Sequence, residues 1–151
     1  MEITIIAIGK MKASPELTLF DNYIKNCRWK VLLKEFECKN DLPSKERCLK
    51  ESEMLLEAVP KGAVIVAMDE KGKELSSLEF AGKMQKWLED KGKVAFLIGG
   101  AEGHHDILRK KADYILSMGK MTWPHFMART MLAEQIYRTK TILDGHPYHK
   151  E

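Results

Sequence analysis

The chain has little of what marks several large classes of protein. Its 151 residues include three cysteines, Cys27, Cys38 and Cys48, and none of them forms a C-x-x-C pair. Their odd number and wide spacing argue against a disulfide framework or a zinc knuckle, and they fit a reducing compartment. No apolar run approaches the roughly 18 residues that a transmembrane helix needs, and a secretory signal is missing at the start. We therefore expect a cytoplasmic protein without a membrane partner.

Several catalytic motifs are also missing. No Gly-Lys pair is followed by Ser or Thr, so the phosphate loop of a nucleotide-hydrolysing enzyme is absent and phosphoryl transfer is disfavoured. There is no Gly-x-Ser-x-Gly nucleophile elbow and no evident Ser-His-Asp or Cys-His set. His146 and His149 could suggest a metal pair, but Pro147 breaks helical geometry between them and no further ligand stands at a suitable spacing. We expect no metal.

Positive charge is in slight excess. Lys and Arg total 25 against 22 Asp and Glu, for a net charge of +3 and a pI near 8.7. This balance permits a nucleic-acid partner without requiring one. With 44% hydrophobic residues and no shift in composition along the chain, the sequence predicts a single domain over residues 1–151.

The hydrophobic pattern alternates between short β-branched runs and longer segments of helical period. This alternation is typical of parallel strands joined by helices, so we predict an α/β fold with a mainly parallel sheet flanked by helices. The third and fourth strands are continuous apolar runs, which predicts a central position covered on both faces. Strands are predicted at 3–8, 31–37, 63–68, 94–98 and 114–117, and helices at 15–27, 44–59, 78–91, 105–112 and 124–139.

Local signals predict how several helices begin. Ser76 and Glu79 have the spacing of a capping box, and Pro124 suits a first helical position. The stretch 39–53 is the most charged; we expect a solvated helix face there, after a long loop around residues 40–44. Residues 104–106, His-His-Asp, predict an exposed helix start, where Asp106 favours the helix dipole.

The last predicted helix has more apolar circumference than one stripe against a sheet requires. Either the helix is enclosed within the protomer or one flank meets a second protomer, and we favour a dimer. The apolar residues are Phe126, Met127, Met131, Leu132, Ala133, Ile136 and Tyr137.

Three segments could carry chemistry. The first, 97–103, reads Leu-Ile-Gly-Gly-Ala-Glu-Gly and follows a buried strand, where open α/β sheets bind ligands; a tight turn that needs positive φ explains it equally well. The second, 116–125, mixes Met, Gly, Thr, Trp and His, which suits an apolar slot for a flat heterocycle, although a Met and Trp cluster is more often core. The third, 142–151, packs two imidazoles, a phenol and a lysine around a proline, unlike a disordered tail.

Together these segments, with Glu134-Gln135-Ile136-Tyr137-Arg138, resemble the RlmH family of ribosomal large-subunit pseudouridine N3-methyltransferases, a branch of the SPOUT superfamily. The resemblance covers the whole chain. It departs from some members at Ala101, where they carry proline, and at Trp123, where others have phenylalanine or leucine. Both changes keep the local chemical character, so they cast little doubt on cofactor binding.

The resemblance implies a SPOUT-type fold with a C-terminal deep trefoil knot, S-adenosylmethionine bound in the knot, and a homodimer whose RNA site is shared across the interface. The implied substrate is 23S rRNA in the assembled ribosome. The cofactor-binding residues carried over by position are Met68, Gly99, Met118, Gly119, Lys120, Met121, Thr122 and Trp123. The RNA-binding residues are Arg138, His146, Tyr148, His149 and Lys150, of which Arg138, Tyr148 and His149 are the catalytic candidates.

The implied reaction removes a proton from a weakly acidic imide nitrogen, so a base or an oxyanion stabiliser should help. His149 is the candidate base, and Arg138 is the candidate stabiliser or phosphate contact. The small charge excess predicts poor activity on protein-free RNA. The alternatives are a SPOUT methyltransferase acting on another RNA, a ribosome-binding factor without turnover, and a small-molecule binder.

Overall fold

A five-stranded parallel sheet forms the middle of the computed structural model, which describes residues 1–39 and 41–150. Asn40, in the predicted long loop, and Glu151, at the end of the predicted functional tail, lie outside the described residues. The strand order is β2-β1-β4-β3-β5. The strands are β1 (Glu2–Ile8), β2 (Lys30–Phe36), β3 (Val64–Glu74), β4 (Lys93–Ile98) and β5 (Tyr114–Ser117).

Helices cover both faces of the sheet. The helices are α1 (Pro15–Asn26), α2 (Ser44–Glu57), α3 (Ser77–Lys91), α4 (Asp106–Lys111) and α5 (His125–Leu143). Helices α1, α3 and α5 pack on one face and α2 and α4 on the other, and each side has its own apolar cluster. The predicted α/β class and the parallel sheet are therefore confirmed. No helix within the described ranges is long and apolar enough to cross a membrane.

The interior strands alternate their side chains between the two clusters. Ile3 and Ile5 of β1 face α1, α3 and α5, whereas Ile6 faces α2 and α4, as the two-residue period of a strand requires. Strands β3 and β4 each have neighbours on both sides, so their predicted interior position is confirmed. Strand β1 is also interior, and six of its seven residues are buried.

Strand β3 runs six residues beyond its predicted end. Its register against β5 breaks, so that both Met68 and Lys73 pair with Leu116 and the residues between them bulge outward. These residues are polar, which is why the apolar pattern stopped at Met68. After the bulge the chain comes back beside β5 at Gly72. An added Cβ at Gly72 would lie 2.5 Å from the Ile115 carbonyl oxygen, so a side chain would not fit there.

Helix α5 lies between α1 and α3, and it extends four residues beyond the predicted end. Leu132, Ala133 and Ile136 are fully buried. Its two helical neighbours account for the broad apolar face within one protomer. Pro124 occupies the N-cap rather than the first helical position. The capping box at the start of α3 is confirmed, because the Ser76 hydroxyl and the Glu79 carboxylate each accept a bond from the other residue's backbone N–H.

Candidate functional site

Three loops converge on one cleft at the carboxyl edge of the sheet, the edge where parallel α/β sheets bind ligands. One loop is the bulge of β3, the second follows β4, and the third joins β5 to α5. The cleft has a volume of about 530 Å³, within the range of ligand pockets. Seven of the eight predicted cofactor-binding residues line it: Met68, Gly99, Met118, Gly119, Met121, Thr122 and Trp123.

The eighth residue, Lys120, is exposed and does not line the cleft. Met121 is 74% exposed and Trp123 is 38% exposed. The interpretation of this Met and Trp cluster as core is therefore wrong for these two side chains. They form an open apolar rim on the cleft instead.

Hydrogen bonds tie the loop after β5 to the bulge of β3. The Ser117 hydroxyl accepts a hydrogen bond from the Gly119 N–H at 3.1 Å. The same hydroxyl can donate to the Glu70 carbonyl oxygen, which also lies 3.1 Å away. The Thr122 hydroxyl donates to the Glu70 carboxylate at 3.1 Å. These hydrogen bonds thus join two walls of the cleft.

The glycines after β4 serve different purposes. Gly103 has a φ of +73°, which favours glycine. Gly99 does not need positive φ, but a Cβ there would lie 3.0 Å from the Gly103 carbonyl oxygen. At Gly100 a Cβ would approach the Glu51 carboxylate to 3.1 Å. The predicted tight turn accounts for Gly103 alone, whereas close packing around the loop accounts for the other two.

Helix α2 supports this glycine loop from below. Glu51 and Ser52 are 6% and 1% exposed, so the prediction of a solvated helix face is wrong for these two residues. The Ser52 hydroxyl accepts the His105 N–H at 2.9 Å, and burial raises the pKa of Glu51. Cys48 donates weakly to the carbonyls of Glu102 and Gly103, with its Sγ 3.7 Å from each oxygen.

His104 is buried, at 4% exposure, so the prediction of an exposed helix start is wrong for this residue. Its Nε2 lies 3.1 Å from the Leu97 carbonyl oxygen and must donate, because a carbonyl only accepts. Burial lowers the pKa of the imidazole. A neutral His104 therefore joins the glycine loop to the end of β4.

An ion pair that sequence reasoning missed crosses the cleft wall. Arg109 donates to the Asp69 carboxylate through Nε at 3.0 Å and through a terminal nitrogen at 2.9 Å. Burial alone would raise the pKa of Asp69, but bonds from the Lys71 N–H and Arg109 lower it overall. The partners lie 40 positions apart, so the sequence offered no local signal.

The tail forms a second cluster, centred on Glu134 of α5. Arg138 donates to this carboxylate at 3.1 Å through Nε and at 2.7 Å through a terminal nitrogen, and the Tyr148 hydroxyl donates at 2.8 Å. The Tyr148 ring also packs against the Arg138 guanidinium at 4.9 Å. Burial and the bond to Glu134 raise the pKa of Tyr148, and the same carboxylate raises the pKa of Arg138.

The five predicted RNA-binding residues divide between this cluster and solvent. His149 Nδ1 lies 2.9 Å from an Arg138 nitrogen, and since guanidinium only donates, Nδ1 accepts this bond. His146 and Lys150 are exposed, and His146 Nδ1 accepts the Tyr148 N–H at 3.2 Å. The network joins three of the predicted residues, and Glu134, which had no predicted role, holds two of them.

The cleft lies at the start of α5, whereas the tail cluster contacts the middle and second half of the helix, at Glu134 and Arg138. His125 lines the cleft, and Arg138 follows 13 residues later on the same helix. At 1.5 Å per residue this spacing corresponds to roughly 20 Å. The residues of the tail cluster, Glu134, Arg138, Tyr148 and His149, do not line the cleft of their own protomer.

Comparisons with known proteins give concordant results. A family model described as "Predicted SPOUT methyltransferase" matches residues 1–149. A relative from Paramagnetospirillum magneticum, named Ribosomal RNA large subunit methyltransferase H, is 47% identical over 99% of this chain and 99% of its own length. A relative of the same name from Rhodospirillum centenum is 43% identical over the same shares. The structure of a probable methylase family protein from Haemophilus influenzae aligns with a TM-score of 0.56 at 12% identity, over 99% of this chain and 70% of that chain, a likeness of fold alone.

Proposed function

The chain belongs to the SPOUT methyltransferase family, and on this premise we propose that it methylates N3 of a pseudouridine in 23S rRNA, with S-adenosylmethionine as the methyl donor. The observation that carries the proposal is the convergence of three loops, distant in sequence, on one cleft of about 530 Å³. Relatives named for methylation of large-subunit rRNA match along their full length.

The cleft suits this cofactor because it combines apolar side chains with main chain that a ligand can approach. Met68, Met118 and Trp123 offer surfaces for a flat heterocycle, and Gly119, where an added Cβ would meet nothing within 4 Å, leaves its backbone uncovered. Met121 and Thr122 complete the wall, while exposed Lys120 lies nearer to solvent and to the RNA. Bound S-adenosylmethionine supplies an electrophilic methyl group; the chain supplies its orientation.

The tail cluster supplies the groups that act on the acceptor base. Arg138 carries a fixed positive charge that stabilises negative charge as the imide nitrogen loses its proton. Tyr148 is a poor base because its hydroxyl donates to Glu134 and its pKa is raised; it positions Arg138 instead. His149 acts as the base only after Arg138 releases Nδ1 to the substrate.

Two protomers complete one site. The residues of the tail cluster do not line the cleft of their own protomer, so we propose that the tail of one protomer serves the cleft of its partner in a homodimer. Leu19 of α1 and Met127 of α5 are 50% and 43% exposed, on the two adjacent helices that we propose for the interface. We further propose that the single domain has a deep trefoil knot around the loops of the cleft, and that the enzyme works in the cytoplasm without a metal.

The assembled ribosome is the proposed substrate because a net charge of +3 gives each protomer few surplus cations to hold free RNA. The test is to incubate the purified protein with methyl-labelled S-adenosylmethionine and ribosomes lacking the modification, beside a protein-free rRNA fragment. Mass spectrometry of nuclease digests then locates the label. We expect label on pseudouridine N3 in large-subunit RNA, and much less on the fragment.

Other outcomes would redirect the proposal. Label on another RNA would keep the methyltransferase and replace the substrate. Cofactor binding without any label would contradict the proposed turnover on ribosomes. No cofactor binding at all would favour a ribosome-binding factor without turnover.

A further inference from the structure

The loop that follows β1 is firmly fixed. This lysine loop, residues 9–12, reads Gly-Lys-Met-Lys. The Gly9 N–H donates to the Phe36 carbonyl at 2.6 Å, and the Met11 N–H donates to the Glu35 carboxylate at 2.8 Å. The Met11 side chain is buried in the core, at 8% exposure. Backbone and side chain together therefore hold the loop against the ends of β1 and β2.

A fully buried arginine completes this attachment. Arg129 of α5 donates to the Ile8 carbonyl at 2.6 Å, to the Gly9 carbonyl at 2.8 Å and to the Glu35 carboxylate at 2.6 Å. Its side chain is 0% exposed. A buried ion pair is weak evidence for added stability, because removing the charges from water is costly. Its evident result is to fix the geometry of the lysine loop.

The fixed loop presents two cations beside the cleft. Met11 enters the core, and Lys10 and Lys12 on either side of it are exposed. The neighbouring glycine loop is close, since a Cβ on Gly100 would lie 3.2 Å from the Ile8 side chain. Arg129 itself directly follows Ala128, which lines the cleft. The loop that carries the two lysines thus begins next to the cleft on an ordered backbone.

We propose that the lysine loop binds RNA phosphates beside the methylated nucleotide, and that Arg129 and Glu35 hold it in position for this contact. The inference rests on the proposed RNA substrate. Lysines on a backbone that is already ordered lose less conformational freedom on binding. With a net charge of +3, two such cations form a substantial part of the attraction to a polyanion.

The test compares two Lys-x-Lys pairs on the full-length protein. One variant is Lys10→Ala with Lys12→Ala. The matched control is Lys91→Ala with Lys93→Ala, an exposed pair of equal spacing at the opposite edge of the sheet.

Binding to ribosomes lacking the modification is measured by co-sedimentation over a range of KCl concentrations. Each phosphate that a protein neutralises adds about 0.7 to 0.9 to the slope of log affinity against log salt. We therefore expect the first variant to lower this slope by about 1.4 to 1.8 for its two lysines, and the control to leave it unchanged.

Because this assay needs no turnover, it separates the inference from the proposed function. Methylation by the wild-type protein with equal salt slopes for wild type and both variants would overturn the inference and leave the function standing. Binding without methylation would overturn the function, while the slopes still decide the role of the loop. A wild-type protein that does not bind ribosomes would overturn both. A weaker affinity of the lysine variant for S-adenosylmethionine would assign the loop to the cofactor and contradict an RNA contact.

A second variant tests the attachment. Arg129→Lys keeps the charge but loses the fork that reaches three acceptors. We expect it to weaken ribosome binding severalfold in the wild-type background and to add little when Lys10 and Lys12 are already alanine. An equal loss in both backgrounds would show a general structural role and contradict the proposal. If Arg129→Lys does not fold, Glu35→Gln provides the same comparison.

Discussion

The cleft and the tail cluster are built from different materials. The cleft combines glycines and apolar side chains from three loops with an ion pair in its wall, and the Ser117 hydroxyl bonds to main-chain groups of two of the loops. The tail cluster is a network of charged and polar side chains around one carboxylate. Under the proposed function, cofactor binding and acceptor chemistry depend on separate parts of the chain. A substitution in one region should therefore impair its own function and leave the other intact.

The largest effect is expected at Arg138. Replacing it with alanine removes the charge that we propose stabilises the deprotonated base, so we expect kcat on ribosomes to fall about 100- to 1,000-fold, as for the loss of an oxyanion-stabilising group. The affinity for S-adenosylmethionine, measured by calorimetry, should not change. Arg28→Ala, at an exposed arginine outside both regions, is the control. An equal loss of cofactor affinity would show that the two regions are not separate.

Glu134 should show how far the network acts as a unit. Glu134→Gln keeps the shape but loses the charge that holds Arg138 and Tyr148, so we expect kcat to fall about 10- to 100-fold, in line with the loss of charged hydrogen bonds. In a variant that already carries Arg138→Ala, Glu134→Gln should lower kcat almost no further. Glu89→Gln on an exposed face of α3 is the control. Additive losses would mean that Glu134 acts independently of Arg138.

Gly99 tests the other side of the comparison. In Gly99→Ala the new Cβ would lie 3.0 Å from the Gly103 carbonyl oxygen, so the loop must shift, and we expect S-adenosylmethionine affinity to fall about tenfold, near the lower end of overpacking costs. The kcat at saturating cofactor should change little. Gly82→Ala, where an added Cβ meets nothing within 4 Å, should leave affinity unchanged. Intact affinity in Gly99→Ala would remove the glycine loop from the cofactor site.

The smallest effect concerns the pH dependence of stability at His104. Burial lowers the pKa of His104 in the folded chain. In the unfolded chain the imidazole has a pKa of about 6.5, so below that pH the unfolded chain binds a proton more readily than the folded chain does. Its contribution to stability is present above that pH and is lost as the pH falls below it, by at most about 1.4 kcal/mol per pH unit. Urea midpoints at pH 7.5 and 5.5 should therefore differ less in His104→Gln than in the wild type. An identical pH dependence would contradict a neutral, buried His104.

The sequence predicted the features that depend on local pattern. Apolar periodicity identified the strands and helices, and residue spacing identified the capping box at Ser76. The sequence did not predict the burial of Arg129, whose carbonyl partner at Ile8 is 121 positions away. Nor did it predict the ion pair between Asp69 and Arg109. His104 and Glu51 are polar residues in polar surroundings of the sequence, so only the packing of α2 under the glycine loop shows that they are buried. Long-range polar contacts leave no periodic trace.

The strand order also bears on how the chain is made. Strand β3 pairs with β4 and β5, both of which come later in the sequence, so a growing chain leaves the ribosome with this apolar strand unpaired. Strand β4 must then enter between β1 and β3 before the sheet is continuous. Such non-local pairing is slow, and unpaired apolar strands promote aggregation in the meantime. A nascent chain that has not yet reached the end of β4 should therefore depend on chaperones. A pause in translation just after β3 should lower the yield of folded protein.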